Sequence, residues 1–428
     1  MYLNLDKIKK IFFDLWPLNR SITGKGTLAS LKIIKSNCRK FKIKFFRSDT
    51  KVFDWKIPKV WEVKEAYIID PDGKKICDFK KNNLHIVGYS KKVNKNLTLN
   101  DLKKNLHSIK KQPSFIPYVT SYYKKNWGFC IEYKKLKKLK KGKYKVKINS
   151  SFVTGKMYYG EGFIKGISKK EVFISSYICH PSMANNELSG PIVLLMLYNY
   201  LISKKKLYYS YRFVITPETI GSIAFIKKNF KKLKKNVFCG YNLSCIGDKN
   251  NFSFVENRNG PTISENILIE TLNKLKLKYK KYYWLERGSD ERQYSSPHVD
   301  LPIITVCRSK FGKFKEYHTS GDILGKTVSF QNLMKSFKVL KKCVEKLEQE
   351  RIPKIKFACE PFMTKYNLYE TISKKNIYTD NNKNLMNIIS YCDGKNSVSQ
   401  ISKKCKVNLI NTKKSLKLLA KNKIIKFL

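Results

Sequence analysis

The 428 residues are 42% apolar and 13% aromatic, which sets the chain among folded proteins and makes it long enough for two or three domains. Its net charge is +56, yet only nine of the 88 cations are Arg, and Lys is spread over the whole length beside plentiful Asn, Ile, Tyr and Phe. Base readers and phosphate clamps favour the Arg fork, so the charge reads as compositional drift that leaves a solvated basic surface, and no nucleic-acid partner is expected.

Residues 3–16 carry Leu5, Ile8, Ile11, Phe12 and Leu15 at helical spacing, with Pro17 as the stop. Asp6, Lys7, Lys9 and Lys10 leave no room there for an apolar secretion segment. The 11 cysteines are odd in number and contain no C-x-x-C pair, so we expect reduced thiols and a cytoplasmic protein. A second helix follows Gly24-Lys25-Gly26, and residues 41–47 alternate as a strand. Residues 60–114 read as a small β-rich insert, with short strands at 65–69, 75–79 and 84–87 and a turn at Pro71-Asp72-Gly73. Further strands are expected at 128–133, 144–148 and 156–163.

From residue 172 strand and helix alternate. Strands are expected at 172–178, 211–215, 237–246 and 302–306, and helices at 189–202, 220–230 and 329–350. Such alternation predicts an α/β domain, a mixed or parallel sheet covered by helices, with ligands bound beyond the carboxyl ends of the strands. The apolar run at 191–202 is too short to span a bilayer, so no membrane is expected. After Pro353 a basic linker leads to helical patterns at 385–392, 398–405 and 409–422 and a strand at 423–427, the outline of a winged helix over 384–428. That unit holds ten Lys and no Arg; Lys413, Lys414 and Lys417 would face phosphates if it read DNA. Winged helices in enzymes also serve as packing or dimerisation modules.

Polar residues fall where such a fold puts its site. His180 follows the strand at 172–178, Glu218 the strand at 211–215, and Arg287, Asp290, Arg292 and His318 lie in later polar motifs. With only five His in the chain, two of them beside carboxylates after apolar strands indicate either a metal site or an acid/base cluster.

These motifs resemble, in order, an uncharacterised bacterial family with an aminopeptidase-like domain met near polysaccharide-biosynthesis genes. The resemblance rests on Leu15-Trp16-Pro17-Leu18-Asn19-Arg20-Ser21-Ile22-Thr23-Gly24, on the Pro-Tyr-Val-Thr-Ser-Tyr-Tyr-x-x-Asn-Trp-Gly-Phe run within 116–130, and on the motifs at 180–190, 217–222, 287–294 and 316–320. It implies a three-layer domain similar to the zinc aminopeptidases (1–59 and 115–352), the β-rich insert (60–114) and the winged helix (384–428). In the two-zinc enzymes two His, two Asp and a Glu hold the metals, and a further Glu is the general base. His180 and His318 match the two His, and Glu218 matches the base. Asn186 stands in the slot of the bridging Asp with Glu187 beside it, Thr219 follows Glu218 where a second Glu belongs, and Ser244 takes the place of the other Asp. Asp290 matches an Asp that orients groups around the site. The resemblance thus implies one Zn ion in preference to two, held by His180, Glu187 and His318, with Glu218 and Asp290 catalytic and Arg287 and Arg292 anchoring a substrate carboxylate; a metal-free pocket stays open. The expected activity is hydrolysis of an amide in a small-molecule, peptide-like or glycan-linked substrate, by a protein that could form homo-oligomers. The alternatives are a nucleic-acid-binding or ligand-sensing regulator and an inactive scaffold in a surface-polysaccharide pathway.

Overall fold

A computed structural model describes residues 4–368 and 380–428, so that part of the expected basic linker, 369–379, lies outside the described residues. Helix α1 (Leu5–Leu15) begins where the Asn4 side chain accepts the Lys7 N–H, and it buries Ile8, Ile11, Phe12 and Leu15 along one face. Helix α2 (Lys25–Ser36) leads into strand β1 (Lys42–Arg47). The main sheet continues with β2 (Lys156–Ile164), β3 (Glu171–Tyr177), β4 (Ser210–Thr216), β5 (Val237–Leu243), β6 (Phe252–Val255), β7 (Tyr279–Tyr282) and β8 (Ile303–Cys307). Its eight strands run in the order β1-β2-β4-β3-β5-β8-β6-β7. The four inner strands β4, β3, β5 and β8 are mutually parallel, while β1, β2 and β6 meet their inward neighbours antiparallel.

Every residue of β3 and β4 is buried, because helices cover both faces, and such strands read as continuous apolar runs instead of alternating ones. On one face α1, α2, α3 (Ser189–Ile202), α5 (Ile263–Lys274) and α6 (Phe330–Gln349) share one apolar core with the sheet. On the other face α4 (Ile220–Asn236) packs Phe225, Ile226 and Leu233 against Phe173, Val214 and Ile303. The result is the expected three-layer α/β domain with a mixed sheet.

A second sheet holds four strands in the order Lys75–Ile76, Val60–Ile69, Lys143–Val153, Val93–Thr98. It therefore extends past residue 114, since Lys143–Val153 pairs along almost the full length of Val60–Ile69. Trp61, Ile68, Tyr144 and Ile148 of this sheet form a core with Ile220, Ile223 and Ala224 at the start of α4. Residues 83–85 form a short 3-10 turn where a strand was expected, because the Asn82 side chain accepts the Leu84 N–H and closes the backbone locally.

In the tail, α7 (Asp380–Ser390), α8 (Val398–Cys405) and α9 (Leu409–Lys421) precede a strand, Ile425–Phe427. That strand pairs antiparallel with Pro353–Ile355, so the winged-helix unit also recruits residues from the start of the expected linker. The described residues contain no helix long and apolar enough to cross a membrane.

Candidate active site

The parallel strands deliver their carboxyl ends to one edge of the sheet, where an α/β fold binds its ligands. His180 lies three residues beyond β3, Glu218 two beyond β4, Ser244 directly after β5, and His318 in the loop that follows β8. That last loop is positioned by the segment around Tyr118. The Tyr118 N–H donates to the His318 carbonyl at 2.8 Å, and Ile116 and Ser320 exchange two further bonds. His318 itself sits at φ 54°, a left-handed conformation held by this pairing.

The two imidazoles come together. Their ring centres are 5.3 Å apart, and the Tyr118 ring packs edge-on against both at 5.2 Å. His180 Nδ1 lies 2.8 Å from Glu187 Oε2, a hydrogen bond whose donor is set by the imidazole tautomer. His180 Nε2 lies 3.8 Å from Glu218 Oε2. His318 Nε2 is buried and has no hydrogen-bond partner. Burial lowers His180 to about 3, helped by the Arg20 charge, and lowers His318 to about 3, helped by His180. Both rings are held neutral, which is the form that binds a metal.

Glu187 is placed behind His180, on a π-helical turn (Ala184–Leu188) that opens α3. Its Oε1 is 3.8 Å from Arg20 Nε, and both side chains are fully buried. Arg20 also donates to the carbonyls of His180 (2.9 Å) and Leu15. Burial raises the Glu187 carboxyl and the Arg20 guanidinium opposes the rise. The resemblance made Glu187 a ligand, but its bond to Nδ1 puts it on the far side of the ring from Nε2.

Glu218 stands at the mouth of this arrangement, its side chain 21% exposed. Burial, and next the Asp290 charge, raise its carboxyl well above the usual carboxylate range. It does not cap α4 through its side chain: the cap residue is Thr219, at φ 64°. Asp290 holds that strained turn, taking the Thr219 N–H at 2.8 Å and the Ser222 hydroxyl at 2.9 Å on Oδ1. Arg292 reaches the same turn and donates to Thr219 Oγ1 at 3.0 Å. A polar ladder ends on the neighbouring Glu291: Ser175 to Asn242, Asn242 to Thr305 and Thr305 to Glu291, at 3.0, 3.0 and 2.6 Å. Arg287 does not join the group. It lies on the surface with its guanidinium over the Trp284 ring.

Which ions fit can be judged from the donors. Two neutral imidazoles, one with an unpartnered buried Nε2, and a carboxylate near the other suit a zinc-like ion with an open position. The slots where the two-zinc enzymes carry three more carboxylates hold Asn186, Thr219 and Ser244. Tyr177 closes two of these with neutral bonds, its hydroxyl donating to Asn186 Oδ1 at 3.0 Å and lying 2.7 Å from Ser244 Oγ. The three side chains in those slots are neutral. A further ligand-like group, Cys179, His180 and Glu187, has its atoms within 4.8 Å of one another. Its imidazole atom, Nδ1, is already engaged, the Arg20 charge lies beside it, and burial keeps the thiol protonated.

Sequence reasoning missed Arg20, Tyr118, Tyr177 and Asp322. The last accepts the Asn185 and Asn186 N–H groups at 2.7 and 2.8 Å and so ties the π-helical turn to the loop after His318. Arg20 was legible in principle, as one of only nine Arg in a chain where Lys is the default cation.

A family model described as a domain of unknown function (DUF4910) matches residues 9–350, and one described as a winged helix-turn-helix matches 351–427. A protein of Clostridium acetobutylicum, provisionally named a polysaccharide biosynthesis protein with an aminopeptidase-like domain, is 38% identical over 403 residues, covering 93% of this chain and 91% of its own. The crystal structure of a provisionally assigned peptidase from Clostridium acetobutylicum superposes with a TM-score of 0.80 at 34% identity, covering 99% of this chain and 96% of that one. A zinc aminopeptidase from Bacillus subtilis matches at 14% identity with a TM-score of 0.58, covering 79% of this chain and 95% of its own. A peptidase M28 precursor from Shewanella amazonensis matches at 12% with a TM-score of 0.57, covering 79% and 91%. At such low identities the last two show the fold alone.

Proposed function

This chain belongs to the DUF4910 family, and from that premise we propose that it is an amide hydrolase working with one zinc ion held by Nε2 of His180 and of His318. The observation that carries the proposal is the pair of neutral imidazoles with ring centres 5.3 Å apart, His180 Nε2 lying 3.8 Å from Glu218 and His318 Nε2 buried without a hydrogen-bond partner. When bound, the ion would polarise the scissile carbonyl and acidify water. Glu218 takes the proton of the attacking water and passes it to the leaving amine; a carboxyl raised by burial holds that proton more readily near neutral pH. Glu187 fixes the His180 tautomer, and Asp290 holds the Thr219 turn that aims Glu218. Arg292, half-buried beside Thr219, is the anchor for a substrate carboxylate. The name of the Clostridium relative directs the search for substrate toward amides on sugars. The free, mostly buried thiols fit a cytoplasmic protein, and Lys413 and Lys417, which line a cleft against the main domain, fit a tail used for packing.

The test combines metal analysis with turnover of aminoacyl-arylamides and N-acyl sugars. Glu218→Gln should cost about 10²–10⁴ in rate and keep the metal, because it removes only the basic oxygen. His318→Ala should lose both. Undiminished turnover in folded Glu218→Gln protein removes Glu218 from the mechanism. The neutral network of Tyr177, Asn186 and Ser244 favours a second reading, a binding protein without turnover. Stoichiometric ligand binding with no product from any amide would select it.

A further inference from the structure

The long motif within 116–130 supplies Tyr118 to the histidines, but the rest of it is unused by that chemistry. Its next residues, Tyr122 to Lys125, form one wall of a pocket of about 490 Å³. Volumes of roughly 300–1,000 Å³ are usual for small-molecule sites. The opposite wall comes from the small sheet and its loops: Ile57, Pro58, Tyr89 and Phe152. Aromatic faces dominate the interior. Tyr123 is 51% exposed and Phe152 41%, although large aromatic groups gain by burial. Tyr89 is buried beneath them and packs edge-on against Tyr122 with ring centres 5.7 Å apart.

Around this aromatic floor stand Lys59, Lys91, Lys124 and Lys125. None of the four has a carboxylate partner among the described residues. The one acid that lines the pocket, Asp49, is taken by Lys56 at 3.0 Å. The pocket therefore offers flat apolar surface below and uncompensated positive charge at the rim. It lies next to the active site without opening into it. Tyr122 lines both this pocket and a small inner cavity shared with Tyr118. The Tyr122 hydroxyl lies beside that of Tyr118, whose ring touches both imidazoles. Two tyrosines separate the pocket from the catalytic groups.

We propose that this pocket binds a pyranose carrying an anionic substituent. The C–H face of a pyranose packs on aromatic rings, and its carboxylate or phosphate draws charge-assisted bonds from the lysines. The assignment rests on the hydrolase reading for its purpose, but binding is measured without metal or turnover, so either can fail alone.

The test titrates the full-length protein, metal-free, with glucuronic acid, glucose 6-phosphate and glucose, followed by saturation-transfer NMR. At least one anionic sugar should bind about tenfold or more tightly than glucose, the scale expected when charge-assisted bonds are added. Preference for glucuronic acid would identify the group as a carboxylate, and preference for glucose 6-phosphate as a phosphate. Lys124→Glu with Lys125→Glu should remove that preference, and Tyr123→Ala should weaken all three sugars. Reversing Lys413 and Lys417, on the tail, should change nothing. Equal binding of glucose and both anionic sugars overturns the proposal. So does an equal loss from the tail reversal, which would mark binding by bulk lysine charge.

Discussion

At the scale of single residues, the rarity of Arg is informative. Lys suffices wherever a charge only has to meet water, so Arg persists where its fork is needed. Arg20, Arg212 and Arg308 are buried, and Arg212 grips Glu161 and Glu171 inside the sheet. Arg20 is the one that matters for chemistry, because it balances Glu187 behind His180. Glu187→Gln would keep the shape and leave the guanidinium without a counter-charge, so it should destabilise the fold by about 3–5 kcal/mol. Urea unfolding measures this, and Arg20→Gln in the same chain should recover part of the loss. A cost under about 1 kcal/mol would mean that the pair contributes little. A second residue-level expectation concerns pH. His85 is buried in the small domain with Nδ1 2.8 Å from the Cys130 carbonyl, and burial lowers its pKa. The folded state then prefers the neutral ring, so its contribution is complete above the unfolded value near 6.5 and is lost as pH falls toward the lower folded value. In that window a single group can change stability by at most about 1.4 kcal/mol per pH unit. His85→Gln should flatten the fall in urea midpoint between pH 7.5 and 5 relative to the parent chain, and identical slopes would exclude His85 as the source.

At the scale of elements, what could be read in the sequence was what burial writes into it. Strands β3, β4, β5 and β8 are covered on both faces and were visible as apolar runs. Strand β7 was not, because it is an edge of the sheet and reads Tyr-Lys-Lys-Tyr with its two lysines exposed. His180 and Glu218 were legible for the same reason as the strands, since each is polar and follows a strongly apolar segment, whereas His318 lies in a polar run and was marked by its motif and by the rarity of His. The direction of Glu187 was not, since a π-helical turn carries side chains off the angles that α-periodicity assumes. That turn leans on one close approach. A Cβ at Gly190, in the first turn of α3, would lie 2.3 Å from Ser176 Oγ and 2.5 Å from the Leu243 carbonyl. Backbone on β5 cannot yield cheaply, so Gly190→Ala should push α3 from the sheet and displace Asn186 and Glu187 with it. The expected cost is about 1–3 kcal/mol from overpacking, with metal affinity falling alongside. Unchanged affinity in the destabilised protein would show that the turn moves independently of α3.

At the scale of the whole molecule, the question is whether the tail is a separate module. Its exposed ion pairs suggest loose attachment, because Lys403 and Lys346 meet on Glu270 across a cleft of about 760 Å³, and surface pairs contribute roughly 0–1 kcal/mol each. The ribbon of Pro353–Ile355 with Ile425–Phe427 argues otherwise. One end of it belongs to the main core: Ile352 is buried there, Leu428 packs against it, and the Tyr208 hydroxyl donates to the Leu428 carbonyl at 3.2 Å. The other end, Ile355 and Phe427, packs on the tail core of Ile388, Ile401 and Leu419. Arg351 adds a guanidinium 3.6 Å from the centre of the Tyr208 ring. A two-stranded ribbon is marginal alone, so neither end can be lost without loosening the other. The chain should therefore unfold in a single calorimetric transition, and Ile352→Ala should lower the stability of both parts together by about 2–5 kcal/mol, the usual cost of a buried Ile-to-Ala truncation. Tryptophan fluorescence follows the main domain and the small sheet, whose Trp16 and Trp61 are packed in the two cores, and limited proteolysis after the tail lysines follows the winged helix. Coincident shifts by both probes are the expected result. Two separated transitions, with Ile352→Ala moving only one, would make the winged helix an independent unit. Lys403→Glu separates the two attachments further, because it breaks the ion pair and leaves the ribbon whole. It should leave the single transition intact, with a shift no larger than an exposed pair can produce.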